Sequence, residues 1–268
     1  MKKVFLLCST VALLMACATN PLTGKKGLAL TSENEQLIPA AYQQYSTFLK
    51  ENKVVTGTSD AQKVQTVGTK IKDAAVKWMT ARGFGDQIAN YKWEYKLVQS
   101  KEANAWCMPG GKIAVYTGIM SYTKDEAGLA TVMGHEVAHA LLSHSRKRMD
   151  KALIQAGIGE GLGKVTANNS AALQQALGLI YGTGSNLAML AYSRGDESEA
   201  DRLGLILMAI AGYNPDSAVG FWERMSSQGG GKTLELLSTH PSDQTRIADI
   251  KKLIPEAKTE ASKFGKKY

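Results

Sequence analysis

His135-Glu136-Val137-Ala138-His139 has the residue types and spacing for hydrolytic chemistry. The flanking residues keep the three- and four-residue apolar rhythm of a helix, on which positions four apart share a face. His135 and His139 therefore point the same way, and two neutral imidazoles so placed can hold one Zn²⁺. Glu136, between them, can serve as a general base. A catalytic zinc needs a third protein ligand and an open fourth position. Downstream, Ser193-Arg194-Gly195-Asp196-Glu197-Ser198-Glu199-Ala200-Asp201 offers Glu197 as that ligand. Asp201 follows one helical turn later and can accept the free ring N–H of a ligand histidine. Arg194 either holds these acids or the substrate, or makes a surface salt bridge. Glu199 is out of step with the pair and is expected to face away from the metal. His144, five residues past His139, is expected at the surface or as a helix C-cap.

The pair of signatures resembles the HtpX- and BepA-type zinc metallopeptidases, gluzincins related to the CAAX prenyl proteases. Asn104-Ala105-Trp106-Cys107-Met108-Pro109-Gly110-Gly111 is similar to the strand that precedes the zinc helix in that family, and Ser238-Thr239-His240-Pro241 to its later S-T-H-P segment. The resemblance spans roughly residues 60 to 255 and implies an endopeptidase with one zinc per chain. It also implies that His240 approaches the zinc, either to stabilise an oxyanion or to fill the open position at rest. On its own segment, His240 could equally be a structural cap. Zinc would make a water in its open position more acidic and polarise the scissile carbonyl. Glu136 would pass the proton to the leaving amine. An extended polypeptide is expected along Asn104, Ala105, Trp106 and Cys107, adding a strand to a sheet edge. That mode reads backbone, so it favours unfolded or misassembled chains.

The elements that must position these groups read as α+β: a mostly helical domain with a small sheet beside the zinc helix. Apolar steps predict helices over 32–50 and 59–81. Residues 91–98, 105–108 and 112–116 read as strands, the last two joined through Pro109-Gly110-Gly111. Thr123 and Glu126 form a capping box for a zinc helix expected to reach His144. Ser193 caps the helix carrying Glu197, which stops at Gly212. Residues 165–193 hold no charge yet are too interrupted to span a bilayer. They read as a core helix pair with loops, or as a mobile cover over the site or a surface dipping into the membrane. No period near 34 residues marks a helical repeat array.

At 268 residues the chain can hold one sizeable core. Met1-Lys2-Lys3 and the apolar run after it read as a signal peptide over 1–16. Leu14-Met15-Ala16-Cys17 resembles a bacterial lipobox, which implies lipid on Cys17; an ordinary secretory signal is the alternative. Residues 17–32 then form a tether, 33–255 the peptidase domain and 256–268 a basic tail. Once Cys8 is removed and Cys17 lipidated, Cys107 is alone and no internal disulfide forms. It reads as a small buried hydrophobe rather than a nucleophile. The net charge of +8 loses two positive charges once Lys2 and Lys3 leave with the signal peptide, and the basic excess of +6 that remains suits a chain held beside anionic headgroups. No basic cluster interleaved with aromatics points to nucleic acid. The expected location is the periplasm, anchored to the envelope. Ala18 favours the outer membrane, where assembly machinery is a possible partner.

Overall fold

The computed structural model describes residues 17–29, 31–155, 170–181, 191–227, 235–240 and 244–268. The expected signal peptide, residues 165–169 and 182–190 of the uncharged stretch, and Pro241 lie outside the described residues. The elements are β1 (Cys17–Thr19), β2 (Lys26–Leu28), α1 (Ile38–Glu51), β3 (Val54–Val55), α2 (Ser59–Ala81), β4 (Glu94–Val98), β5 (Ala105–Met108), β6 (Lys112–Tyr116), α3 (Met120–Thr123), α4 (Glu126–Leu141), α5 (His144–Gln155), α6 (Ser170–Tyr181), α7 (Arg194–Ile210), α8 (Ser217–Ser227), α9 (Glu235–Thr239) and α10 (Gln244–Ser262). This is the α+β, mostly helical architecture that the patterning implied.

The main sheet runs β3-β4-β6-β5, with β4 and β6 parallel and the other neighbours antiparallel. Successive side chains alternate faces along a strand, and here both faces are covered. Leu97, Ala105, Cys107, Ile113 and Val115 pack with α2 and α4 in one core. Val98, Trp106, Met108, Ala114 and Tyr116 pack with α1 and α6 in a second. Trp106 anchors that second core, its ring edge-on to Phe48 at 4.9 Å between centroids. Double coverage explains why β5 is buried at every position. The close approach of α4 and α7 depends on two glycines. A Cβ on Gly204 would lie 2.9 Å from the backbone of His135, and one on Gly134 would lie 2.9 Å from Gly204 O.

Four local expectations need correction. The N-cap of α4 is Asp125, whose side chain accepts from Gly128 N, while Thr123 closes the short α3. Lys124, at φ +63°, turns the chain between them. The zinc helix stops at Leu141, not His144. Ser143 takes φ +56° and a new helix begins at His144. That break is held from outside, since Asn20 Nδ2 donates to Leu142 O at 2.7 Å and Ser143 Oγ to Glu33 Oε2 at 2.6 Å. Within the segment expected as a tether, β1 and β2 pair as a hairpin and Asn20 is buried. The expected tail starts inside α10, where Ala257 and Ala261 are buried, and the Tyr268 hydroxyl donates to Ala209 O.

Candidate metal centre

Three elements bring the site together. Helix α4 presents His135, Glu136 and His139. Helix α7, capped by Ser193 through Asp196 N, presents Glu197 and Asp201. The short α9 delivers His240. Leu236 N donates to Ala103 O at 3.1 Å, ahead of β5, and Tyr192 N to Thr239 O at 3.2 Å, ahead of α7. His240 N closes that turn on Leu236 O at 2.8 Å. The result is a cluster of His135, His139, Glu197 and His240, all buried.

The donor atoms converge on one point. His135 Nε2 lies 3.0 Å from His139 Nε2 and 3.1 Å from His240 Nδ1. Glu197 Oε1 lies 2.8 Å from His240 Nδ1 and 3.3 Å from His139 Nε2. A tetrahedral zinc with bonds of about 2.0–2.1 Å sets its donors roughly 3.3 Å apart. Four lone-pair-bearing atoms at these separations need a cation or protons among them, and borderline-soft nitrogen and oxygen donors suit Zn²⁺. The residues therefore fit the metal.

Electrostatics agree with that reading. Burial drives His139 well below the usual histidine range, so it stays neutral and ready to ligate. Burial also opposes protonation of His135, but the carboxylates of Asp201 and Glu197 outweigh it and raise its pKa to about 9. Burial alone would raise Glu197, yet the imidazoles of His240, His135 and His139 hold it far below the carboxylate range. Glu136 goes the other way: burial raises it, and His240 and His135 offset part of the rise. Its Oε1 has no hydrogen-bond partner and lies 3.4 Å from His240 Nε2.

Asp201 Oδ1 lies 2.9 Å from His135 Nδ1, on the ring edge away from the cluster. Arg194 is exposed and borders a cavity of about 140 Å³ with Glu197 and Asp201. The guanidinium between the two acids belongs instead to Arg246, on α10. It pairs with Glu197 Oε2 at 2.8 Å and grips both oxygens of Asp201 at 2.8 Å. It also covers the Trp222 ring at 3.7 Å. Sequence reasoning passed over Arg246, although a signal existed: it lies one turn before Ile250, on the apolar stripe of α10. His144 is fully buried, not at the surface, and its Nδ1 lies 2.9 Å from His139 Nδ1. Tyr192, also unforeseen, stacks on His139 at 3.8 Å. Asn104, Ala105, Trp106 and Cys107 lie along or beside β5, which pairs with β6 alone among the described strands and packs against α4. Ala105 and Cys107 face the α4 side and Trp106 the opposite side. Burial pushes the Cys107 thiol well up, against a nucleophilic role.

Comparison with known proteins places likeness where these residues stand. Residues 65–254 match the family described as Peptidase family M48. The mitochondrial metalloendopeptidase OMA1 of Schizosaccharomyces pombe is 37% identical over 172 residues, 63% of this chain and 49% of that protein. OMA1 of Saccharomyces cerevisiae is 32% identical over 219 residues, 77% of this chain and 61% of that protein. Metalloprotease YcaL of Escherichia coli is 29% identical over 178 residues, 66% of this chain and 68% of that protein. The chain thus spans about half the length of the first of these relatives. The likeness supports a family-level assignment. The narrower HtpX/BepA resemblance goes beyond it.

Proposed function

This chain belongs to peptidase family M48, and we propose that it is a zinc endopeptidase of the bacterial cell envelope that cuts unfolded or misassembled proteins. The observation that carries the reading is the convergence of His135, His139, Glu197 and His240 on one point, with the buried Glu136 carboxylate beside it, its Oε1 free of hydrogen bonds. His135, His139 and Glu197 hold the metal. When bound, zinc supplies Lewis acidity and an acidified water. Glu136 takes the proton of the attacking water. Its raised affinity for protons suits a base that must hold that proton and release it to the leaving amine. Asp201 and Arg246 keep His135 and Glu197 aimed. Among the described strands β5 is paired on one side only, with β6, so its other edge is where an extended chain would add as a strand. Such a site reads main chain before side chain, which favours polypeptides that have lost their fold.

Attachment through lipid on Cys17 rests on the lipobox and on the basic charge. Among the described residues no helix is long and apolar enough to cross a membrane. A periplasmic location, the outer membrane in particular, rests on the same signal, and the mitochondrial relatives leave it as a proposal. A second reading is favoured by His240, whose Nδ1 lies 2.8 Å from Glu197 Oε1: a histidine there would fill the position an attacking water needs if it stayed bound at rest. The protein would then assist envelope assembly with its peptidase latent. Glu136→Gln separates the two. It should retain zinc and fold while casein cleavage falls by about a hundredfold or more, and a cell that needs the protease should lose its phenotype rescue. Cleavage at the wild-type rate would refute the enzymatic reading, and full rescue by the inactive variant would favour the assembly role.

A further inference from the structure

The two histidines of α4 are held in different ways. His135 Nδ1 faces the Asp201 carboxylate at 2.9 Å. His139 Nδ1 instead faces another imidazole nitrogen, His144 Nδ1, at 2.9 Å. Two ring nitrogens at that distance share one proton, so one donates and the other accepts. If His139 Nε2 binds zinc, its proton is on Nδ1, and His139 must donate. His144 then accepts at Nδ1 and carries its own proton on Nε2. That atom lies 3.0 Å from Glu199 Oε2 and 3.3 Å from Asp196 Oδ1. The tautomer demanded at the metal is the one that the two acids enforce from the other side.

The surroundings support the chain of contacts. His144 is fully buried, and the acids behind it are half-buried. The helix break at Ser143 is what turns His144 back towards His139, since a continuous helix would carry a residue five positions on to another face. Lys147 Nζ pairs with Asp196 at 2.8 Å, and Lys25, from the loop between β1 and β2, pairs with Glu199. His144, Asp196 and Glu199 also have the composition of a second metal site. Each of those carboxylates already faces a lysine, which disfavours another cation.

We propose that His144 is a positioning residue: a neutral imidazole, aimed by Glu199 and Asp196, that accepts the ring proton of His139 and so fixes His139 Nε2 on the zinc. This rests on the metallopeptidase reading above. Partners of this kind change metal affinity by about 10–100-fold when lost.

The test compares His144→Phe with His144→Gln. Phenylalanine keeps a ring of similar volume and removes the acceptor. Glutamine loses the ring but can accept from His139 and donate to Glu199. Zinc affinity is measured by competition with a chromogenic chelator, alongside metal content and melting of the metal-free protein. Wild type should bind one zinc. His144→Phe should bind it about 10–100-fold more weakly, and His144→Gln should stay close to wild type. A role in packing alone predicts the reverse order, because Phe fills the space better. Should His144→Phe fail to fold, Glu199→Ala, at the half-buried outer end, should still weaken zinc binding by a smaller factor. Wild-type affinity in His144→Phe overturns the proposal, as does equal loss in the Phe and Gln variants. A second zinc equivalent that disappears in Glu199→Ala overturns it in favour of a second metal site. Wild type that binds no zinc overturns the metallopeptidase reading itself.

Discussion

Arg246→Met should destabilise the metal-free protein far more than the zinc-loaded one. Methionine keeps most of the apolar stem against Trp222 and removes the charge. In wild type the guanidinium lies at 2.8 Å from Glu197 and from both oxygens of Asp201. The three side chains are at most 8% exposed, so solvent screens the loss only slightly. Burial opposes ionisation of Asp201, and Arg246 and His135 together hold its carboxylate below the usual range. Taking one partner from a buried pair costs about 3–5 kcal/mol, because the other charge stays behind. At about 2–4 °C per kcal/mol for a chain of this size, metal-free Arg246→Met should melt roughly 6–20 °C below wild type. Zinc restores positive charge beside Glu197 and, through His135, beside Asp201. The gap between zinc-loaded and metal-free melting should therefore widen in the variant. Differential scanning calorimetry with and without a chelator measures both numbers. A metal-free variant melting within about 2 °C of wild type, or a gap that narrows, would refute the account of Arg246 as the charge that stabilises the unloaded site.

His240→Ala separates two roles by sign: basal cleavage of a quenched peptide should rise if His240 occupies the open zinc position at rest, and fall about 10²–10³-fold if it donates to the oxyanion. Unchanged activity with unchanged zinc affinity would leave the histidine a purely structural part. Gly204→Ala gains at most about 1 kcal/mol of helix propensity. A Cβ at 2.9 Å from His135 backbone atoms, which cannot rotate away, should cost about 1–3 kcal/mol and push α7 from α4. Melting and zinc titration should both decline, and a stabilised variant with full zinc affinity would contradict the close-packed crossing. Cys17→Ser should leave the protein unlipidated and released from membranes on fractionation. Mass spectrometry that finds an unmodified, differently cleaved N-terminus in wild type would end the anchor proposal.

The His135–His139 pair, the acids at Glu197 and Asp201 and the Ser193 cap were legible in the sequence because each is local. A four-residue helical spacing or a capping serine states its geometry without reference to the rest of the chain. The same holds for β5 and β6 around Gly110 and Gly111, whose positive φ angles mark the turn. The break after Leu141 was not legible. Residues 140–148 keep a helical rhythm without glycine or proline, and Ser143 is held in its unusual backbone geometry by Asn20 and Glu33, more than a hundred residues away. That break is what sends His144 to the back of His139. Arg246 and Tyr192 reached the centre in the same way, through packing of α10 on α7 and through the Tyr192–Thr239 hydrogen bond. Sequence alone determined which residues carry donor atoms and which of them share a helical face, because donor chemistry and helical phase belong to single segments. The tertiary structure decided which charges neutralise those donors and which ring holds each one, because buried polar groups must be satisfied by whatever neighbour folding brings within reach.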